Sequence, residues 1–199
     1  MRTTAWIASL ALLAGAPGAA HAHLVNSGLG PFYNGTLHLL LSPSDCLAVL
    51  AVGLLAGQGG KASARAAAIT LPLAWGGAVL AGLTLERAAE PGWLEVALLI
   101  LLGVSVAAGV RLPAWVLAPV AVLIGIVHGL ETAGALVDSD GALVAVAGIA
   151  TAVAVLTLLT GALAVSLQAA WTRVALQVGG SWIAAVEMLM LGWILQGIS

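Results

Sequence analysis

Six apolar segments, each holding at most one formally charged residue, govern what this chain can fold into: 37–58, 66–85, 93–110, 114–130, 142–167 and 174–196. Each is close to the ~20 residues that cross ~30 Å of hydrocarbon as an α-helix. Inside hydrocarbon a backbone N–H or C=O finds no water, so a helix, which bonds them internally, is the form such segments take. The composition agrees: 62% of residues are hydrophobic, 7% are charged and the mean hydropathy is +1.14. A soluble domain carries about 25% charged residues. The expected fold is an all-α membrane protein, a compact bundle of six transmembrane helices with no soluble domain and no internal repeat. The formal charge of −2 comes with no basic stripe and no charge run, which argues against a nucleic-acid partner.

Residues 1–22 read as a cleaved signal peptide, leaving 23–199 as the transmembrane domain. Arg2 supplies a positive start, Trp6 to Gly15 is an apolar stretch too short to span, Pro17-Gly18 breaks it, and Ala20-His21-Ala22 is a small-residue cleavage site. An uncleaved anchor helix is the alternative. Cleavage after Ala22 would make His23 the first residue, whose α-amino nitrogen and imidazole can chelate one ion together. With the start outside, the inner loops carry Lys61, Arg65, Arg111 and Arg173 and no acid, whereas the outer loops carry Arg87 against Glu86, Glu90, Asp138 and Asp140. That is the positive-inside asymmetry. It predicts a multi-pass protein of the bacterial inner membrane with both termini periplasmic.

Other features fit a bundle in lipid. Trp93, Trp115 and Trp171 fall near predicted helix ends, as interfacial anchors do. Gly76-Gly77, Gly103, Gly109 and Gly179-Gly180 are expected to let helix backbones approach closely. The single cysteine, Cys46, excludes an internal disulfide and is expected to serve in packing.

Polar groups are costly within a bilayer, so their clustering near the start of the first segment needs a reason. His38 and Asp45 are seven positions apart, two helical turns and one face. An unbroken helix would separate them by about 10 Å, too far to share an ion, but Pro43 can bend the path. An interfacial histidine, and an N-cap role for Asp45 or Ser44, are the plain alternatives. His128 and Glu131, three apart at the end of the fourth segment, fall on the same outer side. A helix-end histidine with a solvated glutamate is their plain reading. Glu187 sits mid-segment in WIAAVEMLMLGWIL, where an ionised carboxylate must be paired, hydrated or neutral, or face a polar transport path. Glu95, one turn into the third segment, is explained by an interface or a helix N-terminus. Imidazole with carboxylate suits nickel, zinc, cobalt or copper, and an N-terminal amine favours nickel or copper. No metalloprotease, serine-hydrolase or phosphate-loop motif is present, so no enzymatic activity is expected.

The order signal peptide, Ala22-His23-Leu24, a Gly-rich segment, then Gly30 to Asp45 (GPFYNGTLHLLLSPSD) resembles the HupE/UreJ family of hydrogenase and urease accessory membrane proteins. His128-Gly129-x-Glu131 resembles that family's HG-x-E element, and the likeness covers essentially the whole chain. It implies a metal permease, with nickel the leading ion, His38, Asp45, His128 and Glu131 as metal residues, His23 assisting, and metalloenzyme maturation proteins as further partners. Where family members carry a second histidine after the Asp, this chain has Cys46, which leaves copper, cobalt and zinc open. A membrane-held metal-binding accessory or chaperone that does not transport, and a purely structural subunit, are the competing expectations.

Overall fold

The computed structural model describes residues 28–85, 92–137, 139–167 and 169–197. The proposed signal peptide, His23, the loop 86–91 and Asp138 lie outside the described residues. Everything regular within them is helical: α1 (Pro31–Leu41), α2 (Pro43–Gly59), α3 (Lys61–Leu85), α4 (Gly92–Ala107), α5 (Ala114–Leu136), α6 (Ala142–Ser166) and α7 (Ala170–Gly197).

The first apolar segment does not form one rod. Ser42 is extended at φ −84° and ψ 108°, and α1 and α2 meet at 77°. Pro43 is the cause: its ring disfavours helical backbone at Ser42, while it starts α2 well because its missing N–H is not needed there. His38 therefore belongs to α1 and Asp45 to the first turn of α2. Two boundaries also differ from the sequence expectation. The loop expected over 58–65 shrinks to Gly60, whose φ of 99° suits glycine, and α3 starts at Lys61. The loop expected from Glu131 is helical, so α5 runs on to Leu136 and keeps His128, Glu131 and Thr132 on one rigid element.

By length and composition α3, α5, α6 and α7 can each cross a membrane, the bent α1–α2 pair can count as a fifth crossing, and α4 is a shorter apolar helix of 16 residues. Large apolar side chains point outward around the bundle, among them Leu189 at 76% and Trp182 at 70% exposure. Such a surface is a liability in water and an asset in lipid. Several apolar helices thus suit a multi-pass membrane protein.

The hub is α2. It touches all six other helices, and Ala48, Val49, Ala51, Val52 and Ala56 are fully buried. Around it, α3 packs most extensively on α5 and α4 on α7. Small residues make both contacts possible. A methyl group on Gly129 of α5 would run into the Trp75 carbonyl oxygen of α3, and one on Gly103 of α4 would lie 2.7 Å from the Ala184 nitrogen of α7. Gly180 makes the reciprocal approach to α4, as expected from sequence, whereas Gly77 faces open space.

Candidate metal centre

The bend at Ser42 leaves the N-terminal end of α2 inside the bundle. No side chain caps this helix and Ser42 holds the cap position, so the Asp45 carboxylate, 4% exposed, is free of capping. Glu95, in the first turn of α4, and His128, in α5, converge on it. The His128 Nδ1 lies 3.0 Å from Asp45 Oδ1 and 3.5 Å from Glu95 Oε1. One ligand atom from each of these three buried residues lies within 4.8 Å of the others. Two donors bound at about 2.1 Å to one ion stand roughly 3.0–3.4 Å apart in octahedral or tetrahedral arrangements. The His128–Asp45 separation, which is also that of a hydrogen bond, falls in that range, and the His128–Glu95 separation lies just above it.

The imidazole is held from its other side. The Trp75 ring lies against it with centroids 5.1 Å apart and planes tilted by 31°. Trp75 Nε1 donates to Thr132 Oγ1 at 3.2 Å, and that hydroxyl donates to the His128 carbonyl at 2.7 Å. The close approach at Gly129 lets α5 come near enough to α3 for this stack to form. Two buried polar atoms at the site lack hydrogen-bond partners, Glu95 Oε1 and His128 Nε2. An orphaned buried acceptor is costly, on the order of 1–3 kcal/mol, unless something coordinates it. For Glu95 Oε1 that role suits a cation.

Of the residues singled out from sequence, Asp45 and His128 are brought into contact. Glu131 is exposed and stands next to Glu95, as does Ser44. Glu187 of α7 is 2% exposed and within electrostatic reach of His128. His38 is buried in α1, across the bend and outside the three-residue group. Cys46 is half-buried and also outside it. His23 lies outside the described residues. Glu95 is the member that sequence reasoning passed over. It is the sole charge in its apolar segment, one turn from the outer end, which is also the position of Asp45 in α2. That shared placement is the signal that could have found it.

The set of two carboxylates and one imidazole suits a borderline divalent ion and contains no thiolate to favour a softer one. The family model described as HupE / UreJ protein matches residues 10–190. No curated protein and no solved structure matches the chain.

Proposed function

The chain belongs to the HupE / UreJ family, and from that premise we propose that it is an integral membrane transporter of a divalent transition-metal ion, nickel first among the candidates. The observation that carries the reading is the meeting of Asp45, Glu95 and His128, drawn from three helices, at the buried end of the hub helix. An ion arriving at the outer face is first met by exposed Glu131, with His38 and His23 assisting around the mouth. It then binds Asp45, Glu95 and His128. Glu187, within electrostatic reach of His128, borders its path inward.

In this reading the α1–α2 pair is one broken span, so that with α3 to α7 the domain crosses the bacterial inner membrane six times after a cleaved signal peptide, both termini periplasmic. Broken spans in transporters place irregular backbone where it borders a polar path, and the Ser42 break stands three residues before Asp45. The chain carries no nucleotide motif, so the membrane potential is the simplest drive. A doubly charged ion moving inward gains about 4.6 kcal/mol per 100 mV. No enzymatic step is part of this function.

One observation favours the second reading, a non-transporting metal-binding accessory that hands its ion to metalloenzyme maturation proteins. All members of the three-residue group are buried, His128 completely, as suits holding an ion more than passing it. The deciding experiment reconstitutes purified protein in liposomes containing a metal-responsive dye and supplies Ni2+ outside under an inside-negative potential. Transport predicts dye response that Asp45→Asn abolishes. Stoichiometric bound metal with no dye response would replace the transporter by the accessory reading.

A further inference from the structure

The opposite end of α2 has different chemistry, and nothing in the metal reading uses it. Gln58, Gly59 and Gly60 there line a cavity of about 570 Å³ together with Arg111 from the α4–α5 connection and with Arg173 and Gln177 of α7. Its volume falls in the range of about 300–1,000 Å³ typical of small-molecule sites. Both guanidinium groups are exposed at its mouth, and among the described residues no carboxylate pairs with either. Deeper in, Gln58 Nε2 donates to the Val106 carbonyl at 3.0 Å, which leaves Gln58 Oε1 buried without a donor. A second cavity adjoins the first at Val165. Leu158, Ala162 and Val165 line it along one face of α6, with Lys61 and Arg65 at its rim.

We propose that these neighbouring cavities bind one anionic phospholipid, its phosphodiester gripped by Arg111 and Arg173 and one acyl chain crossing at Val165 to lie along Leu158 and Ala162. Guanidinium forks match phosphate oxygens two at a time, which a lone ammonium does not. The unpaired Gln58 oxygen accepts a hydrogen bond from a headgroup hydroxyl. Two arginines repel a bare divalent cation, so the cavity is unsuited to the cargo ion. The apolar track beside the arginines distinguishes a lipid from a free phosphate ion, which would leave the track unfilled. The site stands independently of the metal group, about 20 Å away along α2.

The test is native mass spectrometry of detergent-solubilised protein titrated with phosphatidylglycerol, with phosphatidylcholine and with inorganic phosphate. The expected result is a phosphatidylglycerol adduct retained about tenfold more than phosphatidylcholine, and not displaced by millimolar phosphate. The double variant R111Q/R173Q should bring retention down to the phosphatidylcholine level. The variant K61Q/R65Q, with the same change in charge, should lower it less than about threefold. Equal retention of the two lipids by the unmodified protein, displacement by phosphate, or equal losses in the two variants would each overturn the assignment.

Discussion

The two ends of α2 are lined by side chains of opposite kinds. At its N-terminal end two carboxylates and an imidazole are buried together with no cationic side chain among them. At its C-terminal end two arginines flank an open cavity, with no acid against them among the described residues. One rigid helix thus fixes a place that wants a cation and, at its far end, a place that wants an anion. The surroundings differ as much as the charge. The first end is closed by Trp75, Thr132 and the close approach at Gly129, whereas the second is open and rimmed by exposed side chains. Enclosure raises the stakes of each polar atom, because a buried group without its partner is penalised and an exposed one is rehydrated.

That contrast can be broken most forcefully at His128. His128→Ala removes the nitrogen donor of the three-residue group and leaves its two carboxylates together. Metal affinity should fall by 100-fold or more, and the metal-free protein should lose about 3–5 kcal/mol of stability. Isothermal titration and thermal unfolding would measure the two effects, and lipid retention at the far end should not change in the folded fraction.

Glu95→Gln is the sharper probe, since it keeps shape and removes one ligand charge. Metal affinity should drop about 10- to 100-fold with little change in unfolding temperature. Unaltered affinity would remove Glu95 from the site. Gly129→Ala acts through the wall of the site instead. The added methyl meets the Trp75 carbonyl, so α5 must move away from α3 at a cost of about 1–3 kcal/mol, read as a lowered unfolding temperature. The smallest effect is expected for Trp75→Phe, which keeps a ring against His128 and deletes the bond to Thr132. A loss of about 1 kcal/mol and a metal affinity changed less than about fivefold would fit a positioning role. A larger loss of affinity would mean that the Thr132 bond aims the imidazole.

Much of the architecture was legible because hydropathy accumulates along the chain and needs no knowledge of neighbours. The apolar segments and their helical form are of this kind, while the family was legible from the residues Gly30 to Asp45 and His128 to Glu131. So were two of the three residues of the candidate site: Asp45 and His128 stand out as polar groups in apolar surroundings. Glu95 did not, because a carboxylate in the first turn of a helix has an adequate local explanation, and only the neighbours of that turn reveal that it is buried. Helix ends were misjudged for a related reason. Polar residues such as Glu131 and Lys61 resemble loop residues, yet a helix continues through them when its own backbone bonds are kept and one face stays packed.

The sequence by itself thus determined that the chain is a bundle of apolar helices with a few polar groups among them, since hydropathy is set by residue type alone. Which of those groups meet was decided by tertiary structure. The bend at Pro43 points the end of α2 inward, and the close approach at Gly129 brings α5 up to α3. Those rotations and distances come from contacts between helices distant in sequence, and no single helix encodes them.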